Sequence, residues 1–108
     1  MEFCQNLFVT EAVSKRAEQI IEAIKLNKMT PNIYVIAFAS NTANLLDIIP
    51  SWELLQPAYP KESLEIVGLA NGKKDAFELV KHMISEAYTK TGNPDVRAYL
   101  QSNKEEQA

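Results

Sequence analysis

Two short segments of the sequence are rich in small and polar residues, and the second of them also carries two lysines. One is residues 40–44 and the other is residues 71–74, and each follows an apolar run. Ligands of parallel α/β sheets bind beyond the carboxyl ends of the strands, so both segments are candidate binding loops. The residues that could contact a ligand are Ser40, Asn41, Thr42, Asn44, Asn71, Gly72, Lys73 and Lys74.

The Asn71–Lys74 loop is the stronger candidate, and an anion is the ligand that would suit it. The start of a helix presents unpaired N–H groups and a partial positive charge. Lys73 and Lys74 add cationic charge where the helix dipole disfavours it, and an anion would relieve that placement. The spacing of Gly68 and Gly72 fits neither a P-loop nor a dinucleotide fingerprint. The alternative interpretation is a tight turn at Asn71-Gly72 with solvated lysines.

Few side chains could carry out acid–base or nucleophilic chemistry. The single histidine, His82, falls outside the apolar stripe of its predicted helix and far from both loops, which argues against a Ser-His-Asp arrangement. Asp47 and Asp75 could form a carboxylate pair for acid–base chemistry or Mg²⁺ binding if both lay at one end of the sheet. Asp75 fits equally well in the first turn of a helix. A small enzyme using Asp47, Asp75 or Ser40 is therefore a minor hypothesis, and the sequence favours a non-catalytic role.

Composition and charge exclude several classes of protein. With one cysteine, Cys4, and one histidine, the chain can form neither an internal disulfide nor a Cys/His zinc site of its own. Eleven basic residues against fourteen acidic residues give a net charge of −3, which argues against nucleic-acid binding. We expect no metal and no cofactor. We also expect no membrane partner, because even the long uncharged run 29–46 is interrupted by polar residues. The start of the sequence lacks a signal-peptide pattern, so we expect a cytoplasmic location.

The apolar pattern predicts a small single α/β domain over residues 1–101, followed by a disordered tail over 102–108. Residues 1–10 form either a strand or an arm. In the longest predicted helix, Phe77, Val80, Ile84 and Tyr88 join Met83 in one apolar stripe. The predicted elements are a helix over Glu11–Asn27, a strand over Ile33–Ala39, a broken helix over Leu45–Gln56, a strand over Leu64–Ala70, a helix over Lys73–Thr91 and a short helix over Asp95–Gln101.

The two predicted strands, Ile33–Ala39 and Leu64–Ala70, are apolar on both faces, which is typical of a sheet between two layers. The connection between them exceeds the dozen or so residues that a crossover requires, so we predict parallel strands joined by a right-handed crossover. Two strands alone make a marginal sheet. Either Phe3–Val9 supplies a third strand, or a second copy of the chain extends the sheet.

Three functional hypotheses follow from these patterns. The first is a non-catalytic, homodimeric protein-interaction module, with Phe3, Trp52 and Tyr59 as interface anchors and room for a further protein partner. The second is a small-molecule or anion-binding module that uses the loops Ser40–Asn44 and Asn71–Lys74. The third is the small enzyme described above.

Overall fold

A mixed sheet, with four strands in the part of the chain that the structure describes, organises the protein. The computed structural model describes residues 1–38, 46–59, 64–93, 95 and 98–99, without the side chains of Gln5 and Asn6. The sheet order is β1-β4-β2-β3. The elements are β1 (Glu2–Val9), α1 (Glu11–Ser14), α2 (Ala17–Lys25), β2 (Ile33–Phe38), β3 (Leu46–Pro50), a 3-10 helix (Ser51–Leu55), β4 (Glu65–Asn71) and α3 (Lys73–Thr91).

The predicted α/β class is confirmed, and of the alternatives left open for Phe3–Val9 the strand is the one present. This segment is β1, which pairs in parallel with β4 and places Glu2 opposite Glu65. The predicted helix Lys73–Thr91 is α3, and Gly92 ends it in the left-handed conformation with φ +76°. The predicted helix Glu11–Asn27 is present as two pieces, α1 and α2. The predicted tail 102–108 lies outside the described residues, and the domain boundary at residue 101 stays a prediction.

The predicted direction of the two central strands is wrong. β2 runs antiparallel to β4, with Ile33 opposite Asn71, so no right-handed crossover joins them. The first part of the predicted broken helix, Leu46–Pro50, is instead strand β3, which pairs antiparallel with β2. Ile48 and Ile49 are β-branched, and Pro50 disfavours the helical conformation at Ile49, so this segment is suited to a strand. Apolar residues on both faces of a strand report that both faces are covered, and they carry no information about direction.

Each face of the sheet has its own buried core. On one face, Val13 of α1, Ile20 of α2 and Leu54 of the 3-10 helix pack against the sheet. On the other face, the buried residues of α3 cover Ile36 and Val67. A Cβ at Gly68 would lie 3.1 Å from atoms of both Ile36 and Leu79, so this glycine lets α3 approach the strands closely.

The two outer strands of the sheet are built differently. In β1, Phe3 lies opposite Ile66 and Phe8 lies opposite Gly68, so the register shifts between them and four residues of β1 correspond to Val67 alone. β3 pairs with β2 in unbroken register from Leu46 to Pro50. Among the helices in the described part of the chain, none combines the length and apolar character needed to cross a membrane.

Candidate functional site

Four polar side chains meet at the carboxyl end of β4, and we call Thr10, Asn32, Asn71 and Asp75 the strand-end cluster. Thr10 follows β1, Asn32 precedes β2, Asn71 ends β4 and Asp75 lies in the first turn of α3. β1 runs parallel to β4 and β2 runs antiparallel to it. The end of β1, the start of β2 and the end of β4 therefore lie together.

Hydrogen bonds within the chain join every member of the strand-end cluster. Asp75 Oδ2 accepts from Thr10 Oγ1 at 2.5 Å and from the Asn71 backbone N–H at 2.9 Å. Asn32 Nδ2 donates to Asn71 Oδ1 at 2.7 Å. The Gly72 backbone N–H donates to the Asn32 carbonyl oxygen at 2.7 Å. The cluster thus braces β1, β2, β4 and α3 against one another.

The backbone at the strand-end cluster explains why these residue types occur there. Gly72 is the N-cap of α3 and has φ +94°, a conformation that glycine adopts without steric cost. It offers no side chain for capping, and the Asp75 carboxylate instead reaches back to the Asn71 N–H. Asn32 has φ +63°, in the left-handed region that asparagine tolerates better than most residues. Thr10 makes no side-chain cap for α1, because its hydroxyl bonds Asp75.

The predicted ligand loop Asn71–Lys74 begins with Asn71, which is also a member of the strand-end cluster. The side chains of Lys73 and Lys74 are exposed at the start of α3. The Asn71 amide is bonded to Asn32, and its N–H is held by Asp75. An anion bound at this loop would lie beside the Asp75 carboxylate, which carries a negative charge as well.

The strand ends that flank the other predicted loop lie at the opposite end of the sheet. β2 ends at Phe38 and β3 begins at Leu46, and these two residues are paired. Since β2 is antiparallel to β4, Phe38 and Asn71 lie at opposite ends. Four residues of the predicted ligand set lie outside the described residues: Ser40, Asn41, Thr42 and Asn44.

The carboxylate pair considered for catalysis is not formed. Asp47 lies opposite Ala37, toward the Ile66 end of the sheet. Asp75 is bonded at the Asn71 end. His82 is exposed, and its ring meets Phe8 edge-on at a centroid distance of 6.3 Å. Within the residues that the structure describes, no group of three or more His, Cys, Asp or Glu side chains could hold a metal ion.

A second arrangement lies where β2 begins and β3 ends, at the same end of the sheet but toward its other edge. Thr30 and Ser51 are both buried there. Thr30 Oγ1 donates to Ser51 Oγ at 2.7 Å, and Ser51 Oγ donates to the Thr30 carbonyl oxygen at 3.0 Å. These two bonds fix the segment before β2 against the 3-10 helix.

Exposed residues flank this buried contact on both segments, and we call Lys28, Met29, Trp52 and Glu53 the corner patch. Met29 is 69% exposed and Trp52 is 55% exposed. Lys28 is exposed and Glu53 is half-buried. The one ion pair among the described side chains joins Lys81 to Glu78 on α3, so neither charge of the corner patch is neutralised by an ion pair.

The acidic side of the corner patch acts on a neighbouring tyrosine. Burial raises the pKa of the Tyr59 hydroxyl, and the negative charges of Glu53 and Asp47 raise this pKa further. Both carboxylates therefore contribute negative potential along this edge of the sheet.

The three predicted interface anchors have different surroundings. Trp52 is largely exposed, as an anchor must be. Phe3 and Tyr59 are half-buried against the core on the α2 side of the sheet. The Phe3 ring also has the Lys25 ammonium group 5.6 Å from its centroid.

Sequence reasoning missed two exposed apolar residues of α3. It placed Phe77 and Tyr88 in the buried stripe, but they are 50% and 60% exposed. The buried residues are Ala76, Leu79, Met83 and Ala87. At 100° per residue, Phe77 and Tyr88 lie about 100° or more from the centre of that stripe, on one flank with the half-buried Ile84. A narrower stripe centred on these four positions would have found them.

Comparison with known proteins gives no relative for this chain. No protein-family model, no curated protein and no solved structure matches it. The strand-end cluster and the corner patch are therefore the features of the molecule that point to a function.

Proposed function

We propose that this chain is a non-catalytic, homodimeric protein-interaction module. The observation that carries this proposal is the corner patch, where a buried hydroxyl pair holds Met29 and Trp52 in exposed positions. Large apolar side chains at the centre of an interface supply much of its binding energy, and aromatic residues and methionine are enriched there. A cytoplasmic location belongs to the same proposal, and the single cysteine supports it.

The strand-end cluster supports the non-catalytic part of the proposal. A catalytic carboxylate must be free to bind a substrate or to move a proton. The Asp75 carboxylate instead accepts two hydrogen bonds that join separate elements. Its position is explained by the fold.

A small-molecule or anion-binding module remains the second candidate. Exposed Lys73 and Lys74 at the start of the 19-residue helix α3 favour it. This candidate predicts that inorganic phosphate shifts the amide resonances of residues 72–74, and that Lys73→Glu abolishes the shift without unfolding the protein. A phosphate titration followed by NMR distinguishes it from the interaction module.

Native mass spectrometry, with sedimentation velocity over a concentration series, tests the proposed function. We expect a dimer of the 12.1 kDa chain without excess mass, and we expect its fraction to rise with concentration. A reducing agent should leave the dimer intact, which excludes an artefact through Cys4. A chain that stays monomeric throughout the series would overturn the proposal. A retained excess mass would favour the ligand-binding candidate.

A further inference from the structure

We propose that the corner patch is the dimer interface and that its occupant is the corner patch of a second copy of this chain. This inference rests on the proposed homodimer and adds the surface and the residues that pair across it.

The two segments of the corner patch carry opposite charges at equivalent positions. Residues 28–30 read Lys-Met-Thr, and residues 51–53 read Ser-Trp-Glu. They extend β2 and β3, which are antiparallel, and the Thr30–Ser51 bonds join them. Moving outward from those bonds, each segment has a buried hydroxyl, an exposed apolar residue and then a charged residue, which is exposed at Lys28 and half-buried at Glu53. The charge is positive on one segment and negative on the other.

This arrangement is complementary to itself under two-fold symmetry. In a two-fold dimer, if one residue contacts a second across the axis, the second contacts the first in return. An axis near the Thr30–Ser51 contact exchanges the two segments. It places Met29 on Trp52 of the partner subunit and Lys28 on Glu53 of the partner subunit. Each of these contacts then forms twice.

Charge is the observation that selects a second copy as the occupant. Lys28 and Glu53 have no ion-pair partner among the described side chains of their own chain. Burial raises the pKa of Tyr59, and the negative charge of Glu53 raises this pKa further. A partner bearing only one sign of charge would meet repulsion on one segment. A second copy presents both signs in the order required.

The small apolar area of Met29 and Trp52 predicts a dimer that is sensitive to salt. A stable interface commonly buries about 800 Å² on each partner, and a buried aromatic side chain contributes about 150–250 Å². One tryptophan and one methionine, both partly exposed, supply only a fraction of that area. The charged rim formed by Lys28 and Glu53 must therefore contribute to binding, and we expect dimerisation to weaken as salt concentration rises.

Charge reversal and mixing of two variants test the proposed surface. Lys28→Glu would place two glutamates against each other at each rim contact, and Glu53→Lys would place two lysines there. We expect each variant to dimerise at least roughly tenfold more weakly than the original chain. Mixing the variants should restore association. In the mixed dimer, positions 28 and 53 are both acidic in the Lys28→Glu chain and both basic in the Glu53→Lys chain, so each contact between the chains joins opposite charges. Labelling one variant with ¹⁵N lets native mass spectrometry identify the mixed dimer.

The matched control is Lys90→Glu, which makes the same charge change at an exposed position near the end of α3. It should leave dimerisation unchanged. Thermal unfolding of each variant checks that it remains folded. If the original chain is monomeric, the proposed function itself fails. If the original chain dimerises but both reversals dimerise normally, or if the mixture does not associate, the corner patch is not the interface and this inference is overturned.

Discussion

The strand-end cluster and the corner patch lie at the same end of the sheet, but they use their polar groups in opposite ways. In the strand-end cluster, the Asp75 carboxylate and the Asn71 amide are bonded to other elements of the same chain. At the corner patch, the buried hydroxyls of Thr30 and Ser51 satisfy each other, while the residues beside them face outward. The first region stabilises the fold, and the second presents a surface.

This difference shows that a polar loop at a strand end is a poor indicator of function when its partners are unknown. Asn71, Gly72 and Asp75 have the residue types of a binding loop, yet they hold the ends of three strands and a helix together. Thr30 and Ser51 carry no chemical motif in the sequence. Their bond nevertheless fixes the exposed side chains that we propose to be functional.

The largest expected effect comes from removing the support beneath the corner patch. Leu54 is 2% exposed and anchors the 3-10 helix in the core. Leu54→Ala should lower the free energy of unfolding by about 3 kcal/mol, from lost burial and the cavity that remains. It should also weaken dimerisation, because Trp52 and Glu53 belong to the same helix. Denaturant unfolding and sedimentation measure the two effects. The control is Leu55→Ala, at a half-buried neighbour, and an equal loss there would contradict the assigned role of Leu54.

Asp75→Ala should separate stability from association. The substitution removes a carboxylate that accepts two hydrogen bonds, so we expect a loss of about 2 kcal/mol in the free energy of unfolding. The dimer dissociation constant should not change when it is measured under conditions where the variant is folded. Glu78→Ala removes an exposed acid one turn along the helix and should cost far less. A change in association for Asp75→Ala would show that the two regions are coupled.

Thr30→Val probes the buried hydroxyl pair with little change in shape. It removes the donor to Ser51 Oγ, while the Ser51 hydroxyl keeps its bond to the Thr30 carbonyl. We expect a loss of about 1 kcal/mol in the free energy of unfolding. Thr91→Val is the control, since that hydroxyl bonds near the exposed end of α3. If both substitutions cost the same, burial of the Thr30 contact adds nothing to its contribution.

The smallest effect concerns the pKa of Tyr59. Its folded-state pKa is raised above 10.0, so its stabilising contribution is complete below pH 10 and is lost as the pH rises through the folded-state pKa. Glu53→Gln should lower this pKa more than Asp47→Asn, because Glu53 is the larger of the two charge effects. NMR titration of the Tyr59 ring measures both. Asp75→Asn serves as the strand-end control, and a shift of equal size there would contradict a local effect.

Much of the fold could be predicted from the sequence because it depends on local periodicity. The apolar stripe of α3 identified that helix, and the run at Phe3–Val9 made a strand one of the alternatives for that segment. The direction of β2 could not be predicted, since it depends on β3, whose five residues carry Asp47 and Pro50 and lack a clear strand alternation. The wrong direction in turn placed both predicted loops at one end of the sheet.

The candidate sites were predictable only in part for a related reason. Trp52 stands out by residue type, and it is exposed as an anchor should be. Its setting depends on the Thr30–Ser51 contact, which joins residues twenty-one positions apart. The bond from Thr10 to Asp75 spans sixty-five positions. No local pattern reports such contacts, so the sequence alone could not show that Asp75 is occupied within the fold.

The pairing of β1 also fixes an order of events during synthesis. Within the described sheet, β1 has one neighbour, β4, and Glu2 pairs with Glu65. Synthesis proceeds toward the C-terminus, so β1 is made before β4 and pairs only once β4 is available. β2 and β3 are adjacent in the sheet and close in sequence, and they can pair sooner because they close a shorter loop. Among the described strands, β1 is therefore made before the other three and is among the last to be paired.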